Sequence, residues 1–393
     1  MRKYQSRNRM INQVNMTTSC RFISKIMQAF MMFLLAIVIV ACGDADDTGI
    51  NIPDDKPPVI NREGASIWLG PSPMDITTDR SITSDYIEVV TQPEKYYSAV
   101  FEETKVLKLY IEALNRYSAA DIQALAYFAN ANSLEIAVEL GGIRMAVGKT
   151  ADSRIGLEAA IMEFSVLKKL LDVGGLVNYI TTDHSMAPYL TGLDDALADL
   201  SQEQIMVQQM EYFQYMQERI PELKVGVIES LGWFWVNGDR QYEATSANLG
   251  RVDFESYFDT YLKVAEQEGI VIDHFHIDFG DHDIHYDGGY GRVLAVEDYV
   301  LSKGVNSGFI ATNAFHNNFR EEVTDPEKAS REAAENTLDY FEGYMAVSGK
   351  SELILQRWQP YPILLGSDEE PYTQMGIFHS IVSSSYFKKD PNQ

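Results

Sequence analysis

Residues 270–279 read Ile270-Val271-Ile272-Asp273-His274-Phe275-His276-Ile277-Asp278-Phe279, and the alternation inside this stretch decides the fold. Val271, Phe275, Ile277 and Phe279 fall on one side of an extended chain and His274, His276 and Asp278 on the other, because successive strand side chains point to opposite faces. An apolar row backed by a polar row predicts a strand that rests on helices with one face and turns the other into a cavity. Seven further runs share the strand-like composition: Ser66–Gly70, Val106–Glu112, Leu134–Leu140, Leu176–Thr182, Lys224–Ser230, Gly308–Asn313 and Glu352–Trp358.

A helical pattern follows each run: Ser84–Glu103 or its second half, Ala119–Ala131, Ser153–Asp172, Gln202–Arg219, Phe254–Glu268, Arg292–Ser302, Pro326–Ala346 and Pro371–Phe387. Start and stop signals agree. Ser118 stands three residues before Asp121 in a capping-box arrangement, Gly174-Gly175 and Pro221 follow the third and fourth helices, and Gly269 and Gly304 follow the next two. Eight strand-helix alternations with no Ser/Gly linker predict an α/β fold, a single (β/α)8 TIM-type barrel over residues 63–393.

Phase then sorts the polar residues. Leu134, Ile136, Val138 and Leu140 form the helix-facing row of the third strand, which sends Glu135 and Glu139 inward. By the same rule Lys108, Tyr110 and Glu112 point inward from the second strand, and Glu229 from the C-terminal end of the fifth. Inward residues at strand C-terminal ends line the mouth where barrel enzymes carry their chemistry. Glu139, Asp183, Glu229 and Asp278 are therefore four carboxylates predicted around one mouth, with Lys108, Arg144 and Arg357 as the cations that would pair with them in a merely structural role. Two carboxyl groups flanking a bond suffice to cleave a glycoside, one as acid and one as base or nucleophile.

Two other patterns accompany them. His274, His276 and Asp278 share one strand face, and with Asp281, His282, Asp283, His285 and Asp287 beyond they form a second candidate, a metal-dependent barrel hydrolase. His184 and His316 are the extra imidazoles such a site would recruit, while residues 281–287 read as a solvated turn. Aromatic residues also gather at strand ends: Trp233, Phe234 and Trp235 after Glu229, Trp358 after the eighth strand, and Tyr110 on the second. Flat rings suit the C–H faces of sugars, with Glu139, His276, Asn313 and Gln356 as partners for hydroxyl groups. No Gly-X-Ser-X-Gly elbow and no phosphate-loop spacing occurs, and the reading invokes no cofactor and no resident metal.

The formal net charge of −25 excludes nucleic acid as a partner, since phosphate binding needs clustered Lys and Arg. At the N-terminus, Arg21 and Lys25 precede an apolar run from Phe30 that closes on Ile39-Val40-Ala41-Cys42-Gly43. The run is short for a bilayer span. This order resembles a bacterial lipobox, which implies a signal peptide over residues 1–41 with Met16 as an alternative start, and a lipid on Cys42. Residues 42–62, rich in Asp, Pro and Gly, read as a disordered tether. The resemblance implies a body anchored to a bacterial membrane and facing the periplasm or the exterior. With Cys20 in the leader and Cys42 lipidated, no thiol is left for disulfide or thiolate chemistry.

Carboxylates at strands four to six, neighbouring tryptophans and the leader together resemble secreted glycoside hydrolases of the barrel class. The resemblance implies a poly- or oligosaccharide substrate, with Glu229 as general acid, Asp278 as nucleophile or base and Asp183 as substitute for either. The seventh strand ends in Thr312-Asn313 without a carboxylate, which departs from the common pairing of strands four and seven. A non-catalytic glycan-binding lipoprotein is the third expectation.

Overall fold

The computed structural model describes residues 66–70, 83–92, 99–146, 154–186, 200–236, 252–278, 289–312, 325–348, 351–356, 365–367 and 369–384. Eight parallel strands close into one barrel: β1 (Ile67–Gly70), β2 (Thr104–Tyr110), β3 (Glu135–Leu140), β4 (Tyr179–Asp183), β5 (Lys224–Ser230), β6 (Ile272–Asp278), β7 (Asn306–Thr312) and β8 (Glu352–Gln356). Neighbours pair in chain order, and β8 closes on β1 with Trp68 opposite Ile354. The helices are α1 (Thr83–Thr91), α2 (Ala99–Glu103), α3 (Ile111–Arg116), α4 (Ala119–Ala131), α5 (Ile155–Asp172), α6 (Gln202–Gln217), α7 (Phe254–Gln267), α8 (Tyr290–Ser302), α9 (Pro326–Val347) and α10 (Gln374–Val382). The predicted α/β barrel is thus the observed fold, and the predicted capping box of Ser118 and Asp121 opens α4. The leader, the tether and Cys42 lie outside the described residues.

Two apolar cores separate cleanly. The larger lies between strands and helices and contains Leu134, Ile136, Val138 and Leu140 of β3 together with Phe275 and Ile277 of β6, as their phase predicts. The smaller fills the barrel interior with Trp68, Val106, Ala137, Tyr179, Ile228, Ile310 and Ile354. Membership of one core or the other fixes which way each strand faces.

Four local expectations are corrected. β2 stops at Tyr110, because Ile111 and Leu114 bury together on a helical turn; Glu112 is exposed on that helix rather than pointing into the barrel. In β6, Val225 pairs with Ile272 and Gly226 with His274, so Asp273 is an extra residue at a bulge, where its carboxylate accepts the Val225 N–H at 3.1 Å. Ile272 therefore takes the outward place expected of Val271, which is 72% exposed. The first helical pattern divides into α1 and α2.

The fourth correction concerns β5. Val225 and Val227 lie in the outer core and Ile228 in the inner one, so Glu229 faces the helices, not the barrel axis. It is fully buried and accepts a hydrogen bond from the Tyr257 hydroxyl of α7 at 3.2 Å.

Candidate active site

The C-terminal ends of β4 and β6 bring two aspartates together. Asp183 is the last residue of β4 and Asp278 the last of β6, each in phase with the interior rows of its strand, and β5 stands between them. His184 spans the gap. Its Nδ1 lies 3.0 Å from Asp183 Oδ1 and its Nε2 lies 3.3 Å from Asp278 Oδ2. The side chains of Asp183 and Asp278 are 19% and 25% exposed, so both carboxylates meet solvent while most of the imidazole does not.

Several contacts fix this ring. The His184 N–H donates to the Ile228 carbonyl of β5 at 2.9 Å, which straps the loop residue to the strand beside it. Its backbone sits at a φ of +44°, a left-handed conformation uncommon for a residue with a Cβ. Trp233 meets the imidazole edge-on at 4.7 Å between ring centres. Arg144, from the turn after β3, donates to the Asp183 carbonyl at 3.0 Å and to Asp183 Oδ2 at 3.1 Å. That turn is itself held by Glu163 of α5, which accepts the N–H groups of Gly141 (2.8 Å) and Gly142 (3.2 Å) and the Tyr212 hydroxyl (2.6 Å).

The electrostatics follow from burial and sign. Burial works against a charged His184, but Asp183, the hydrogen bond and charge of Asp278, and Glu229 outweigh it and push the imidazole up to about 9. Burial raises the Glu229 carboxyl to about 8 against the opposing charge of His184, with Asp183 adding to the rise. Burial also raises Glu139 to about 7, opposed by Lys108, and raises Glu163 to about 7, opposed by the hydrogen bond from Tyr212.

Below the mouth the interior polar residues bond one another. Lys108 reaches Glu139 at 2.6 Å and donates to Gln356 Oε1, which also accepts from the Tyr110 hydroxyl at 3.3 Å. Lys108, Glu139, Tyr110 and Gln356 are all buried. Glu139, Tyr110 and Gln356 thus form a buried floor under the mouth and do not line its open surface, which corrects their reading as sugar contacts. His276 is corrected in the same way: it is fully buried, with its ring 4.7 Å from Trp68.

The strand-borne part of the metal reading, His274, His276 and Asp278, does not converge on one point. His274 lies 4.8 Å from His276 between ring centres, and its Nε2 is 2.8 Å from the Thr181 hydroxyl, whereas Asp278 turns to His184. Burial, with the charge of Lys108, holds His274 down to about 3 and so neutral. Among the described residues no three His, Cys, Asp or Glu side chains gather as a metal-binding group. Of the aromatic candidates, Trp233 stands at the mouth, and Trp235 lies on a two-residue strand paired with Val252–Asp253. Asn313, Trp358, residues 281–287 and His316 lie outside the described residues.

Sequence reasoning named His184 only as a spare imidazole. Its place directly after a strand-end aspartate was the available signal. Glu163 was not singled out, and neither were Gly226 and Gly308, although glycine inside a strand marks a close approach.

No protein-family model matches the chain, and no curated protein matches its sequence. Among solved structures it is similar to an endo-1,4-beta-xylanase from Caldicellulosiruptor owensensis, at 11% identity over 81% of this chain and 96% of that one, with a TM-score of 0.47. A modular endo-beta-1,4-mannanase from Cellulomonas fimi gives 12%, 82%, 71% and 0.45 on the same measures, and the Ignisphaera aggregans GH53 catalytic domain 8%, 84%, 97% and 0.44. Likenesses this distant carry no argument about activity.

Proposed function

We propose that the barrel is a glycoside hydrolase acting on a poly- or oligosaccharide, with Asp183 and Asp278 as its acid and base pair. One observation carries the reading: two strand-end aspartates, both open to solvent, face each other across a single imidazole. Their contacts to opposite nitrogens of one ring set the two carboxylates on either side of the imidazole, and a sugar would reach them from the open mouth. In such hydrolysis one carboxylate takes a proton from the attacking water as the other gives one to the departing oxygen. Trp233 offers a ring on which a sugar face can stack.

Glu229 leaves the role of acid because it faces Tyr257 inside the helix layer and has no exposed surface. It serves instead as a buried carboxyl behind His184, bonded to Tyr257. The test is reducing-sugar release from a panel of neutral and charged glycans. Hydrolysis of at least one is expected, and oligosaccharide binding without hydrolysis of any would favour the glycan-binding alternative. The same proposal keeps Cys42 as the lipid attachment, with the barrel tethered to a bacterial membrane and facing the periplasm or the exterior. A Cys42→Ser chain is then expected in the soluble fraction, and its retention in membranes would remove the anchor.

A further inference from the structure

Asp183 is held at both carboxylate oxygens, and one of the two holds begins deep in the helix layer. His184 Nδ1 lies 3.0 Å from Oδ1, and Arg144 Nη1 donates to Oδ2 at 3.1 Å while also reaching the Asp183 carbonyl at 3.0 Å. Arg144 stands on the short turn Gly142–Ala146 after β3, and a long arginine side chain aims its charge only as well as its backbone is fixed. We propose that Glu163 of α5 is a positioning residue of the reaction, gripping that turn so that the Arg144 guanidinium sets the direction of the Asp183 carboxylate. This deepens the proposed reaction and rests on it.

Glu163 is 2% exposed and accepts the Gly141 N–H on Oε1 at 2.8 Å and the Gly142 N–H on Oε2 at 3.2 Å, so one carboxyl grips two successive backbone groups. The Tyr212 hydroxyl of α6 donates to Oε2 at 2.6 Å and fixes the carboxyl in its turn. On its other side the turn lies against the end of β4: Gly142 has a φ of +59°, and a Cβ there would stand 2.9 Å from Ser185 Cβ and 3.0 Å from Thr182 Cβ. Thr182 precedes and Ser185 follows Asp183-His184. The turn is therefore pressed between Glu163 and the two residues that flank the site, and Arg144 reaches Asp183 from a fixed base. A carboxyl suits this task in either protonation state, because each of its oxygens keeps a lone pair for the N–H it faces. An amide does not. It has one oxygen and one NH2, so one glycine N–H must lose its acceptor. Glu163 touches neither sugar nor reacting atoms and acts only through Arg144.

Glu163→Gln is the probe, since it keeps the size of the side chain and breaks half of the grip. On a glycan that the wild type cleaves, kcat is expected to fall on the order of 10-fold with little change in KM, because a misdirected reacting group slows the chemical step. A carboxyl with only a structural role would lower the melting temperature and leave kcat of the folded protein as it was; that result overturns the proposal. Arg144→Gln supplies the second arm. Adding Glu163→Gln to Arg144→Gln is expected to cost no further kcat, and losses that multiply overturn the proposal. A crystal structure of Glu163→Gln is expected to show Arg144 Nη1 moved off Asp183, and contacts unchanged from the wild type overturn the proposal whatever the activity. Should that variant not fold, Gly142→Ala lifts the same turn from the β4 side and is expected to give the same fall in kcat; wild-type kcat there overturns the proposal too. A wild type that cleaves no glycan overturns the reading beneath, and the crystal structure still decides whether Glu163 places Arg144.

Discussion

Gly226 and Gly308 make room for the buried histidines. A Cβ on Gly226 would stand 2.2 Å from the His274 carbonyl oxygen and 2.4 Å from its ring, and one on Gly308 would stand 2.5 Å from the His276 ring. The polar row of β6 is therefore a packed layer under the mouth, with the Trp68 ring lying against both imidazoles. Gly226→Ala is expected to destabilise the barrel by about 1–3 kcal/mol, because the clash involves backbone that has nowhere to move. Denaturant unfolding checks this, and an unchanged midpoint would mean that the two strands are not so closely apposed. The same packing explains why His276 was misread. A strand-face histidine looks alike in sequence whether it meets a sugar, a metal or a tryptophan.

At the scale of elements, legibility followed contrast between the two faces of a strand. β3 and β6 alternate apolar with polar, so their outward rows and the inward direction of Glu139 and Asp278 were readable. β5 reads Lys224-Val225-Gly226-Val227-Ile228, apolar on both faces, and such a run gives no phase; Glu229 was therefore placed on the wrong side. The bulge at Asp273 and the early end of β2 escaped notice because each depends on a neighbouring strand or helix and not on local composition. Asp183 and Asp278 were legible as strand ends. Their meeting through His184 was not, since it requires β4 and β6 to converge across β5, a fact of closure rather than of spacing.

For the whole molecule, buried acids and the charged imidazole give stability the same pH dependence. Glu163 and Glu229 hold protons up to about 7 and about 8 against an ordinary 4.5, so the stability they contribute is complete below about 4.5 and is lost as pH rises through those values. His184 favours the fold fully below 6.5 and loses that contribution as pH rises through about 9. Repulsion within a chain of net charge −25 adds in the same direction. The melting temperature is expected to fall steadily from about pH 5 to pH 9, and a rise across that window would contradict the assignment of these buried groups. On the proposed reading, catalysis takes place where β4 and β6 end. The most direct measurement is the hydrolysis rate of Asp278→Asn beside the wild type on a glycan the wild type cleaves, with thermal unfolding of both recorded. A loss of 10²-fold or more, on the order expected for removing a general acid or base, with a nearly unchanged melting temperature is the expected result; an Asp278→Asn protein that cleaves at the wild-type rate would contradict it.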